Sequence, residues 1–329
     1  MGPMQLVTPP RHIALAGLRA LKTIACADGQ VEQLEQELMV AISEHVLKLG
    51  TDININALES IDAGELASEV RDPMFRERIM WGIVLVALAD ADLSPEEENL
   101  IVAYGNTLGA NPDTLRTLKH LSQKRMRLLR LDIIRRSFIG KRLQFQWEQK
   151  GLKGMAEAYR AISGGESPEL RDKYLALEQL PLGSLGRSYH QFIREAGFSF
   201  PGEKGGAPEP LVFHDCVHVL AGYGTTVREE ACIAAFQGGF QKDDPLHTLL
   251  FVLAQFHLGI QISPIAGVER MGIRNIEEVI RCFMLGTQCR RDLGDRWDPW
   301  VDFETSIEEL RQRYNIVLRP DRNAAVKDG

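Results

Sequence analysis

HDCVHVLAGYGTTVREEACIAAF, residues 214–236, reads as a helix, a glycine break and a second helix, and it decides how the rest of the chain is read. At about 100° per residue, positions four apart nearly eclipse on an α-helix. His214 and His218 therefore project side by side, with Asp215 on the flank of the same face. Gly222, Tyr223 and Gly224 can turn the chain, so that Glu230 arrives from the following helix. Imidazole and carboxylate donors in this number suit zinc or another divalent metal. Val212, Phe213, Val217, Val219 and Leu220 surround the polar side chains. Polar groups in such a setting are costly without partners, and a metal removes that cost.

The expected ligand set is His214, Asp215, His218 and Glu230. If all four bound at once, a tetrahedral ion would be closed and structural, so catalysis requires an open position. Asp215 is then the residue that stands behind, orienting a histidine or shuttling a proton. Cys216, two residues after His214, faces away from the histidine side and reads as packing. His190, His247 and His257, taken singly, read as hydrogen-bonded core histidines.

Outward from this stretch, the first half carries an internal repeat. ACADGQVEQLEQELM (residues 25–39) and ALADADLSPEEENLI (residues 87–101) match at a constant offset of 62, pairing Asp28 with Asp90, Glu35 with Glu97 and Leu38 with Leu100. Each copy reads as an apolar helix, an acidic break and a new helix whose first turn is rich in Glu, which suits a helix N-terminus. Ser94, Pro95 and Glu97 spell a capping box with proline at the first helical position. Asp28, Glu35, Asp90, Asp92 and Glu97 could also gather a hard cation through oxygen; helix capping and a solvated acidic face is the alternative. The fold class expected from these patterns is all-α, in two domains: residues 1–123 with the repeat, a basic amphipathic helix and linker over 124–164, and the metal-bearing domain over 165–329.

At 329 residues, with 44% hydrophobic and 25% charged residues, the chain has ample material for two cores. A net charge of −7 argues against a general nucleic-acid binder. Cys26, Cys216, Cys232, Cys282 and Cys289 form an odd set without a CxxC pair, which suits a reducing cytoplasm. No signal peptide is expected from the first residues, which lack a basic region and a long apolar core. The longest apolar stretch, LHTLLFVLAQFHLGIQI (246–262), is interrupted by His247, Gln255 and His257 and reads as a buried helix that could line a groove.

One strongly basic segment stands out, KRMRLLRLDIIRRSFIGKR (124–142), with eight basic residues and one acidic. It can lie in an anionic membrane surface with its apolar side down. Alternatively it is a linker helix whose apolar side closes one of the two cores while its arginines stay solvated or pair with the acidic N-terminal domain. The Gly- and Pro-rich run 200–210 reads as a surface loop or a flap over the site.

The spacing from His214 to Glu230 resembles the signature of the coenzyme Q biosynthesis protein 4 family. LPLGSLGRSYHQFIREAGF (180–198) and RWDPWVDFETSIEELRQRYNI (296–316) are similar to that family's flanking segments, and together the likeness spans about residues 165–318. It implies a helical domain with a zinc set at His214, Asp215, His218 and Glu230, and a lipid-accessible groove beside it. The substrate it implies is a polyprenylated aromatic intermediate of ubiquinone synthesis. It implies either the enzyme that removes the ring carboxylate oxidatively or a scaffold for the other quinone biosynthetic enzymes, working peripherally at the cytoplasmic face of the membrane, with homo-oligomers as a further possibility. Residues 12–122 resemble the tellurite-resistance TerB-like helical domain, which implies an interaction module; Ala91 stands where that pattern has glycine.

Arg187, Tyr189, His190, Arg290 and Arg291 are candidate partners for a substrate carboxylate. HDCVH also differs from the HExxH run of zinc proteases by Asp for Glu, so a metal-dependent hydrolase with Asp215 as base is a third reading.

Overall fold

The computed structural model describes residues 6–29, 31–89, 93–123, 125–241, 245–261 and 275–319. Among them the chain is all-helical, as the patterning predicts, with fifteen α-helices and no strand; an isolated bridge joins Ser184 and Ser306.

The first half contains α1 (Arg11–Ala25), α2 (Gln33–Ala41), α3 (Ala63–Glu69), α4 (Pro73–Ala89), α5 (Pro95–Leu108) and α6 (Pro112–Ser122). Its repeat is visible in the caps. Glu32 caps α2 with Glu35 reciprocating, and Ser94 caps α5 with Glu97 reciprocating, so the two boxes sit at the same offset as the sequence match. Ser94 N donates to Glu97 Oε2 at 2.8 Å and Glu97 N to Ser94 Oγ at 3.1 Å. Each box satisfies amides that the helix start leaves without partners. Both acids are buried in consequence. Asp90 and Asp92, invoked for a hard cation, lie outside the described residues. α4 runs through the middle of this half and is buried without interruption from Met80 to Ala89, the mark of a helix packed on all sides.

The basic segment is two helices, α7 (Met126–Arg136) and α8 (Phe138–Ile162), broken at Ser137, whose ψ of 173° is extended. Much of its charge is used inside the molecule. Asp132, buried, takes Thr117 Oγ1 at 2.6 Å and Arg135 at 3.0 Å, with Arg116 and Arg136 within 4 Å. Burial works against its charge, but these donors hold its carboxyl below the usual range. Arg142 is buried, donates Nη2 to the Leu293 carbonyl at 2.8 Å and lies over the Phe213 ring. Leu129, Ile133 and Ile139 face the core, while Leu128 and Leu131 remain exposed.

The second half contains α9 (Pro168–Leu175), α10 (Leu185–Glu195), α11 (Val212–Ala221), α12 (Val227–Gly239), α13 (Pro245–Val252), α14 (Ile276–Gly286) and α15 (Ile307–Tyr314). The apolar stretch after α13 continues as a π-helical turn, Leu253–His257. α12 and α14 approach so closely that a Cβ at Gly239 would meet the Phe283 carbonyl and one at Gly286 the Phe236 carbonyl. α2 packs on α14 and α4 on α13, and the buried side chains of both halves form one continuous hydrophobic cluster. No helix among the described residues is long and apolar enough to cross a membrane.

Candidate metal centre

α11 ends at Gly222, whose φ of 77° is left-handed and costs glycine nothing. The chain turns through Tyr223 and Gly224, and Thr226 caps α12, accepting from Glu229 N. Neighbouring acids then divide their roles. Glu229 turns back to the turn, accepting Gly224 N at 3.0 Å and Thr226 Oγ1 at 2.9 Å. Glu230, about 100° further round the helix, faces α11.

There it meets both histidines. Glu230 Oε2 lies 3.4 Å from His214 Nε2, Glu230 Oε1 lies 3.5 Å from His218 Nε2, and the two Nε2 atoms are 3.2 Å apart. His214, His218 and Glu230 thus bring one donor atom each within 4.8 Å of one another. The two Glu230 oxygens divide between the histidines, one facing each Nε2, so the three side chains point at a common space. The His218 ring is buried and stacks on Phe192, which holds its Nε2 toward the other two side chains. The donor set, two imidazoles and a carboxylate, fits zinc or a similar divalent ion.

The electrostatics are those of a tight cluster. Burial opposes charge on His214, but the hydrogen bond and charge of Glu230 outweigh it and the imidazole is pushed up to about 9. Burial likewise opposes the Glu230 carboxylate, and the two histidines more than compensate, holding it well below the usual carboxylate range.

Asp215, the fourth ligand expected from sequence, is not among the converging atoms. It stands one residue round α11, in the wall of the adjoining cavity, where burial raises its carboxyl above the ordinary value. Cys216 is buried on the far side, as its register predicts.

The side chains of His214 and Glu230 remain 22% and 25% exposed, while that of His218 is 1% exposed. The open side gives onto a cavity of about 520 Å³ lined by His214, Asp215 and Glu230 together with Ile139, Ile193, Leu211, Val227, Phe251 and Phe256. The walls come from α8, α10, α11, α12, α13 and the π-turn, so the apolar stretch after residue 245 lines the groove through Phe251, Gln255 and Phe256. Gly205 and Ala207 place the Gly- and Pro-rich loop at its edge.

Arg187, Tyr189, His190, Arg290 and Arg291 do not line the cavity. Tyr189 and His190 are buried against Phe200, and Arg291 lies over Tyr314. Sequence reading missed Gln237, whose Oε1 lies 3.1 Å from His214 Nδ1. Its signal was present: residue 237 follows 230 by seven, so both lie on one face of α12. Ser199, Thr225 and Gln255, the other polar lining residues, carry no such pattern.

No family model matches this chain, and no curated protein gives a significant match to it.

Proposed function

We propose that this chain is a metal-dependent enzyme of ubiquinone biosynthesis that removes the ring carboxylate of a polyprenylated hydroxybenzoate oxidatively, leaving a hydroxyl at that carbon. The observation that carries the reading is the opening of the His214, His218 and Glu230 cluster onto a cavity whose other walls are largely aliphatic and aromatic. A polar reacting head at the cluster and an isoprenoid tail among Ile139, Ile193, Leu211, Phe251 and Phe256 match those two surfaces. The sequence likeness around residues 165–318 supports the same substrate class.

His214, His218 and Glu230 would hold the metal, and when bound it supplies a Lewis acid for a carboxylate or phenolate oxygen. The apolar walls exclude bulk water and orient the ring. Asp215, with its carboxyl raised by burial, can hold or release a proton at the cavity wall. The net change balances with water as the source of the new hydroxyl. The carboxylate leaves as carbon dioxide, and dioxygen takes up the two electrons with protons to give hydrogen peroxide. On this reading the chain associates with an anionic membrane surface and works beside the other quinone biosynthetic enzymes.

The test is the quinone and intermediate profile, by mass spectrometry, of cells lacking the protein and complemented with wild type or folded His214→Ala. A ring-carboxylated polyprenyl intermediate should accumulate without the protein and with the variant. Unchanged quinone throughout would remove the pathway assignment. Quinone restored by His214→Ala would replace the enzyme with a scaffold.

A further inference from the structure

We infer that Gln237 is a positioning residue for the metal cluster, fixing the proton of His214 on Nδ1 so that Nε2 presents its lone pair to a metal ion. The inference rests on the metal reading of His214, His218 and Glu230.

Three observations lead to it. Gln237 Oε1 lies 3.1 Å from His214 Nδ1, and an amide oxygen only accepts, so the ring nitrogen donates. The opposite nitrogen, Nε2, is the one that meets Glu230 and His218. A ring held from behind in this way has one tautomer and one orientation, which is how outer partners set the basicity and aim of metal-bound histidines.

The second observation is the rigidity of the support. Gln237 is 0% exposed and belongs to the stretch of α12 clamped against α14 through Gly239 and Gly286. Glu230 and Gln237 therefore move as one body, the first on the ion side of the His214 ring and the second behind it.

The third observation is an apparent defect. The Nε2 end of Gln237 is buried without a hydrogen-bond partner. Leucine or methionine at this position would remove that unsatisfied group from the buried stretch Ala231–Gly239, whose other residues are apolar, and stability alone would favour the exchange. The glutamine makes sense through the one bond it does make. Being neutral, it also aims His214 without adding a further carboxylate to Glu230 and Asp215, which already act on that ring, and so leaves the cluster more electrophilic than a carboxylate in its place would.

The experiment measures the affinity of the purified full chain for Zn²⁺ by competition with a chromophoric chelator, alongside urea unfolding of the metal-free protein. Gln237→Leu should bind Zn²⁺ about 10–100-fold more weakly, with metal-free stability unchanged or raised. Gln237→Glu, which keeps an acceptor on Nδ1, should bind at least as tightly as wild type. If Gln237→Leu does not fold, Gln237→Met provides the apolar replacement at nearly equal length. Wild-type affinity in a folded apolar variant overturns the positioning role while leaving the metal reading in place. Weaker binding in step with lost stability, unrescued by Gln237→Glu, marks Gln237 as packing only and overturns it too. Failure of the wild-type chain to bind Zn²⁺ removes the metal reading and the inference with it.

Discussion

The first turns of α2 and α5 and the first turn of α12 use the same residue type for opposite ends. Glu35 and Glu97 bend back onto the starts of their own helices and are buried as caps. At α12 the capping work falls to Glu229, which binds Gly224 and Thr226, and this leaves the next acid, Glu230, to face His214 and His218. An acid at a helix start is thus claimed by backbone amides first. At α12 a neighbour already serves the cap, so Glu230 faces the two histidines instead. The acidic repeat of the first half accordingly builds structure with its two buried glutamates, while α12, with acids to spare, builds a site.

The widest separation between the two roles should appear on exchanging the adjacent acids. Glu230→Gln is expected to weaken Zn²⁺ binding by more than the roughly 100-fold that marks the loss of an outer partner, whereas Glu229→Gln should leave it within a few-fold; chelator competition reads both. Equal losses would erase the distinction.

Next in size is a change to the clamp that sets the depth of α12. Gly286→Ala drives a methyl into the Phe236 carbonyl, and a cost of about 3 kcal/mol is expected from overpacking against backbone. Urea unfolding checks it, and a neutral result would mean that α12 can slide without losing its partner.

A histidine for which burial outweighs its acidic neighbour sharpens the comparison from the other side. His247 is buried against Trp81, and burial followed by the charge of Arg136 pushes it down to about 3. The folded state then binds fewer protons than the unfolded one between that value and about 6.5, so its contribution is intact above pH 6.5 and is lost as the pH falls. Between pH 7 and pH 5, wild type should lose about 2 kcal/mol more than His247→Phe. Parallel pH profiles for the two proteins would contradict this.

The smallest effect belongs to the caps. Glu97→Ala should lower stability by about 1 kcal/mol through loss of the box and leave Zn²⁺ affinity untouched. A change in metal content on this substitution would place a cation in the first half after all.

These contrasts also mark what the sequence could convey. The helical class, the caps at Ser94 and Glu97, and the pairing of His214 with His218 all follow from spacing within one or two turns, and each is found in the structure. Glu230 was reachable because the glycine break is short. The apolar stretch that holds Phe251 reads as groove-lining, but the other walls were out of reach, since Ile139, Ile193 and Leu211 come from segments far apart in the chain and meet only through tertiary packing. The basic segment left two readings open, and the structure shows the one in which its apolar side closes a core: Leu129, Ile133 and Ile139 are buried, and Asp132 and the Leu293 carbonyl draw Arg136 and Arg142 inward. Asp215 shows the limit of helical spacing, which put it on the flank of the histidine face but could not say that the flank opens onto the cavity.

The most direct test of the central claim is the metal content of the purified chain, stripped with chelator and reloaded with Zn²⁺, measured by elemental analysis for wild type, Glu229→Gln and Glu230→Gln. The account predicts a single ion per chain in wild type and Glu229→Gln and next to none in Glu230→Gln. Wild type that retains no zinc, or Glu230→Gln that retains as much as wild type, would contradict it.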